Sequence, residues 1–114
     1  MDLQAGTLFS LRGKTALLTG ASGFLGRTMA HALLANGARL IALGRSERLT
    51  ELARGWSREF GEDRVRAVRV DMEDLDALAR ALDEIASQEP AVEILVNNAH
   101  ELSPRSGFNA REGT

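Results

Sequence analysis

The stretch Thr15-Ala16-Leu17-Leu18-Thr19-Gly20-Ala21-Ser22-Gly23-Phe24-Leu25-Gly26 decides the fold. Thr15–Thr19 is a short apolar run, too brief for a helix and suited to a buried strand. Glycines at 20, 23 and 26 then break the chain, and a helical pattern follows from Phe24 to Asn36, with Met29, Ala30, Leu33 and Leu34 on one face. Gly37 stands where a helix-terminating glycine belongs. A glycine turn between a strand and a helix presents backbone N–H groups and a positive dipole end, the local chemistry of a phosphate site. Gly20 permits the tight turn and Gly26 lets helix and strand approach closely. The missing Cβ of Gly23 clears the way for a pyrophosphate, and a positive φ there is a further expectation. A plain glycine-rich turn is the structural alternative.

The same alternation continues outward. Leu40–Leu43 reads as a second strand, and Ser46 as the cap of a helix carrying Leu49, Leu52, Ala53, Trp56 and Phe60 on one stripe, closed by Gly61. Val65–Val70 reads as a third strand, with Arg66 and Arg69 interleaved so that one side meets solvent at a sheet edge. Asp71 or Asp74 caps a third helix whose expected buried face is Leu75, Leu78, Ala79, Leu82, Ile85 and Ala86. Ile94-Leu95-Val96 is the fourth strand. The order β-α-β-α-β-α-β predicts an α/β fold with a parallel sheet, right-handed crossovers and the spatial order 3-2-1-4, a partial doubly wound Rossmann-type domain. Residues 1–8 read as a flexible lead-in, 9–100 as the nucleotide-binding part, and 101–114 as a loop opening a further half.

Composition narrows the classes. The 114 residues are 44% hydrophobic and 26% charged, with a net charge of -2, enough apolar content for one core and too little positive charge for a nucleic-acid partner. Cysteine is absent, which removes disulfides, thiolate metal sites and a cysteine nucleophile. No apolar run approaches the roughly 20 residues of a membrane span. No basic segment followed by an apolar one opens the chain, so a soluble cytoplasmic protein is expected. Tyrosine is also absent, and Lys14 is the only lysine.

At the exit of the second strand, an NAD-selective site ordinarily places an acidic residue for the ribose 2′-hydroxyl. Here Gly44 and Arg45 stand instead. A guanidinium there can pair with a 2′-phosphate, which favours NADP(H) and leaves NAD(H) open; an ordinary solvated arginine is the alternative. Val96-Asn97-Asn98-Ala99 closes the fourth strand with two amides able to hold neighbouring loops.

Phe9-Ser10-Leu11-Arg12-Gly13-Lys14 followed by Thr15–Gly20, then Val70-Asp71, then Ile94–Ala99 together resemble the cofactor-binding opening of a short-chain dehydrogenase/reductase, over about residues 9–100. The resemblance implies hydride transfer between a nicotinamide and a carbonyl or alcohol carbon of a small substrate, in a homo-oligomer when intact. It places Gly20, Ser22, Gly23, Phe24, Leu25 and Gly26 along the cofactor phosphates. Arg45 would meet the adenosine ribose or its 2′-phosphate, Asp71 and the Met72 N–H the adenine, and Asn98 and Ala99 the nicotinamide-side ribose. A helix N-cap remains the other reading of Asp71. The family's catalytic Ser, Tyr and Lys fall later than these residues, so a catalytic position is not assigned within them.

Two features depart from the family pattern. The position of Gly23 resembles the extended branch of epimerases and dehydratases, which retain NAD. His100 replaces the glycine normal after Asn-Asn-Ala and would project near the nicotinamide, as in relatives associated with bacterial surface-sugar and sialic-acid-like synthesis; an exposed loop histidine is the alternative. His31 reads as solvated surface. A truncated, non-catalytic nucleotide-binding module is the alternative of a different class.

Overall fold

A computed structural model describes residues 10–98. Four strands, β1 (Thr15–Thr19), β2 (Arg39–Gly44), β3 (Val65–Arg69) and β4 (Ile94–Asn97), form one sheet. The helices between them are α1 (Phe24–Ala35), α2 (Arg48–Phe60) and α3 (Leu75–Gln88), with a short 3₁₀ turn at Glu62–Arg64 before β3. All three pairings are parallel and the order is β3-β2-β1-β4, as the alternation predicts. Among the described residues no helix is long and apolar enough to cross a membrane.

β1 and β2 are central and covered on both faces, which is why they read as continuous apolar runs rather than alternating ones. Leu18, Leu40 and Ala42 point to one face, where Ala30 and Leu34 of α1 and Leu49, Ala53 and Trp56 of α2 close over them. Leu17, Ile41 and Leu43 point to the other, against Ile85, Leu78 and Ala81 of α3.

The helix ends follow local chemistry. Gly37, at φ 102°, ends α1 with its N–H donating to Leu34 O and the Ala38 N–H donating to Leu33 O, a Schellman closure. Arg64, well outside α1, completes that end: its Nη2 donates to the carbonyls of Leu34 (2.7 Å) and Ala38 (2.6 Å). The N-cap of α2 is Glu47, with no side-chain cap, which corrects the expected role of Ser46; Ser46 Oγ instead accepts from the Arg48 N–H at 3.1 Å in the turn just before the helix. The cap of α3 is Asp74, which accepts from the Ala77 N–H at 3.0 Å. Asp71 instead closes the preceding turn by accepting from the Glu73 N–H. The helix-cap alternative for Asp71 is thereby removed.

Two further expectations are corrected, and a third, His31 on the surface, holds with added contacts. The apolar arc of α3 is wider than the face it buries: Leu78 and Ile85 meet the sheet, but Leu75 (73% exposed) and Leu82 (40%) do not, and Ala79 and Ala86 are also exposed. β3 is an edge strand, yet Arg66 and Arg69, an odd number of residues apart, lie on opposite faces. Arg66 reaches Glu84 of α3 at 3.6 Å and Arg69 reaches the carbonyl of Arg45. His31, although on the surface, is engaged: its Nε2 lies 3.1 Å from Glu59 Oε2 and its ring meets Phe60 edge-on. The lead-in at 1–8 and the loop at 101–114 lie outside the described residues.

Candidate dinucleotide-binding site

Parallel strands with the order 3-2-1-4 leave β1 in opposite directions, toward β2 and toward β4. The crevice outside their carboxyl ends is where such sheets take ligands. The exits of all four strands gather there: Gly20 after β1, Arg45 after β2, Asp71 after β3 and Asn98 after β4.

The three glycines differ in what demands them. Gly20 has φ 67°, a left-handed conformation that favours glycine. Gly26 lies in the first turn of α1, and a Cβ there would sit 1.9 Å from Gly20 O and 2.8 Å from its carbonyl carbon. No side chain fits without moving backbone. Gly23 is neither strained nor crowded: its φ is -76°, which corrects the expected positive value, and a Cβ would find only Gly20 O, at 3.7 Å. The fold leaves that position open, and a glycine there keeps the approach to the turn clear. α1 begins beside it with no acidic residue in its first turn and no side-chain cap, so nothing local competes for its leading N–H groups. Phe24 and Leu25, the next residues, are 82% and 54% exposed, an unusual placement for large apolar side chains. Ser22 Oγ lies toward Gly44, 3.8 Å from where a Cβ on Gly44 would stand.

The Asn pair ties β4 to this turn. Thr19 Oγ1 donates to Asn97 Oδ1 at 3.0 Å and accepts from the Asn98 N–H at 2.9 Å. Asn98 Nδ2 donates to Gly20 O at 3.2 Å, the same carbonyl that accepts from the Gly23 N–H. One carbonyl therefore joins the turn to the fourth strand across the crevice. Sequence reasoning named Asn98 but gave Thr19 no role. The signal was a threonine, buried here, at the last position of a strand facing two asparagines.

Arg45 is exposed at the β2 exit, with its carbonyl accepting from Arg69 Nη2 at 3.3 Å. Arg69 was read only as an edge residue. Met72 packs its side chain against the α3-side core, which anchors the turn that presents Asp71. Ala99 and His100 lie outside the described residues. Among the described residues, no cluster of three or more His, Cys, Asp or Glu side chains is placed to hold a metal ion.

A sheet of this order with a glycine turn at its crossover defines the nucleotide-binding α/β class. The family is fixed by comparison: the family model described as short chain dehydrogenase matches residues 14–110, and the chain belongs to that family. It is 34% identical over 113 residues to the short-chain dehydrogenase/reductase VdtF of Byssochlamys spectabilis, covering 98% of this chain and 36% of that one. It is 38% identical over 91 residues to the oxidoreductase UcpA of Salmonella typhimurium, covering 78% and 33%. Among solved structures, L-sorbose reductase of Gluconobacter frateurii, complexed with NADPH and L-sorbose, superimposes with a TM-score of 0.75 at 31% identity, covering 90% of this chain and 39% of that one. The Pseudomonas aeruginosa RhlG/NADP complex gives a TM-score of 0.74 at 34% identity, covering 88% and 39%. The chain thus spans about a third of the length of these relatives.

Proposed function

We propose that this chain is the cofactor-binding part of an NADP(H)-preferring short-chain dehydrogenase/reductase. The observation that carries the reading is Gly23. Backbone conformation and packing both permit a side chain there, so the open space in front of the α1 N-terminus is the feature to be explained, and a pyrophosphate explains it. The NADPH and NADP complexes of the structural neighbours support it.

The residues present fit such a group. The leading N–H groups of α1, from Phe24, Leu25 and Gly26, would receive the pyrophosphate, with Gly20 and Ser22 shaping the turn. Arg45 would pair with a 2′-phosphate. Asp71 would accept from the adenine amino group beside the Met72 N–H. Asn98 and Ala99 would run along the nicotinamide-side ribose, and His100 would project near the nicotinamide, where it could meet substrate. Bound there, the cofactor would supply hydride to, or accept it from, a carbonyl or alcohol carbon. The match of the family model through the glycine turn favours a dehydrogenase over the extended-branch epimerase or dehydratase. The accompanying reading is a homo-oligomeric cytoplasmic enzyme for a small-molecule substrate, with residues 9–100 as one nucleotide-binding unit and no nucleic-acid or membrane partner. The net charge of -2 supports the absence of nucleic acid.

Titration of the intact protein with NADPH and NADH tests the cofactor assignment. Wild type should bind NADPH more tightly. Arg45→Asp should remove about 2–3 kcal/mol from NADPH binding, roughly 30- to 150-fold in Kd, by deleting a charge-assisted pair and adding a repulsive carboxylate. Equal wild-type affinity for the two dinucleotides would refute the Arg45 assignment.

A further inference from the structure

The β2 exit is held from a direction the sequence does not suggest. Gly44 pairs in register with Arg69, and the ladder closes with the Val70 N–H donating to Gly44 O at 3.0 Å. One residue further, the Arg69 side chain takes over: its Nη2 donates to Arg45 O at 3.3 Å. Ser46 secures the other side of the same turn, its Oγ accepting from the Arg48 N–H and its carbonyl from the Leu49 N–H. The peptide bearing the Arg45 side chain is thus bracketed by β3 and by α2.

Among the described residues, neither guanidinium at this exit is committed to an ion pair. The ion pairs among the described residues are His31–Glu59, Arg39–Glu89 and Arg66–Glu84, and none includes Arg45 or Arg69. The bond to Arg45 O is also the one side-chain hydrogen bond that Arg69 makes among the described residues. Two guanidinium groups therefore share an exposed strand exit with no carboxylate paired to either.

We propose that Arg69 is a positioning residue for dinucleotide selectivity. By holding the Arg45 carbonyl, it fixes the backbone from which the Arg45 guanidinium reaches the adenosine 2′-phosphate. The inference rests on the reading of Arg45 as the 2′-phosphate ligand and assigns to β3 a role in that site. An arginine on a fixed turn loses less conformational freedom on binding than one on a loose turn. The benefit is confined to the ligand that Arg45 touches, so NADH, which lacks the phosphate, gains nothing from it.

The test is dinucleotide titration of the intact protein in five forms: wild type, Arg69→Met, Arg69→Lys, Arg45→Met and the double Met variant. Arg69→Met should weaken NADPH about tenfold, in the range of one lost hydrogen bond from a charged group, and change NADH by less than about twofold. Arg69→Lys, which retains a donor, should recover part of the loss. The double variant should bind NADPH as Arg45→Met does, because one residue acts through the other. Equal weakening of both dinucleotides, or additive losses in the double variant, would overturn the inference. So would a wild type whose NADPH preference is lost in Arg45→Met and kept in Arg69→Met, which leaves the Arg45 reading standing. A wild type with no NADPH preference would overturn both.

Discussion

Gly23 and Gly26, three residues apart in one turn, should respond unequally to the same methyl group. In Gly26→Ala the new Cβ starts 1.9 Å from Gly20 O and 2.9 Å from the Ala21 Cα. Carbon–oxygen contacts settle near about 3.3 Å, so α1 must withdraw by about 1.4 Å. Both partners are backbone, and no rotamer relieves the overlap. The withdrawal loosens Ala30 and Leu34, both buried against the sheet. Overpacking of this kind costs typically 1–3 kcal/mol, and backbone-to-backbone contact puts it at about 3. Replacing a helical glycine by alanine returns about 1 kcal/mol. Sterics win, and Gly26→Ala should lose about 2 kcal/mol. Gly23→Ala meets Gly20 O at 3.7 Å, an ordinary contact, and should lie within about 0.5 kcal/mol of wild type. Urea unfolding of the intact protein, followed by circular dichroism, reads both. Dinucleotide titration should then show Gly23→Val folded but unable to bind. A Gly26→Ala midpoint equal to wild type, or a Gly23→Ala loss as large as that of Gly26→Ala, would refute the reasoning.

Two other outcomes follow from the same geometry and composition. Thr19→Val keeps the shape of a buried side chain but removes the oxygen that serves Asn97 and Asn98, and should cost about 1–3 kcal/mol in urea unfolding as well as weakening NADPH. A polypeptide of these 114 residues alone should show no ketone-dependent loss of NADPH absorbance above a Gly23→Val control. It contains no tyrosine to donate a proton, and Lys14 precedes β1, at the end of the strand remote from the crevice.

The strands were legible because burial on both faces writes a local signature: Leu40–Leu43 is apolar throughout, whereas Arg66 and Arg69 interrupt β3 and mark it as an edge. The glycine turn was legible for the same local reason, except that spacing alone cannot say which glycine serves the fold and which leaves room. α3 shows the limit of periodicity. Leu75, Leu78, Ala79, Leu82, Ile85 and Ala86 make one broad arc, and docking against Leu17, Ile41 and Leu43 uses only the side holding Leu78 and Ile85. Which side docks is decided by the sheet, not by the helix. Arg64, Arg69 and Thr19 were not legible as organisers because their partners lie 24 to 79 residues away in sequence. Long-range bonds leave no spacing to read.

The uneven seating of the helices has a consequence for how the molecule opens. Every residue of β1 and all but the first of β2 are buried, while Ile85 alone is buried in α3. Amide protons of the two central strands should exchange with solvent only through global unfolding. Those of α3 should exchange through a cheaper, separate opening that also uncovers the sheet face of Leu17, Ile41 and Leu43. Release of α3 leaves the β1 turn, α1 and the β2 exit assembled. Among the described residues, the glycine turn therefore belongs to the more slowly exchanging cooperative unit, and the Asp71–Met72 turn that leads into α3 belongs to the faster one.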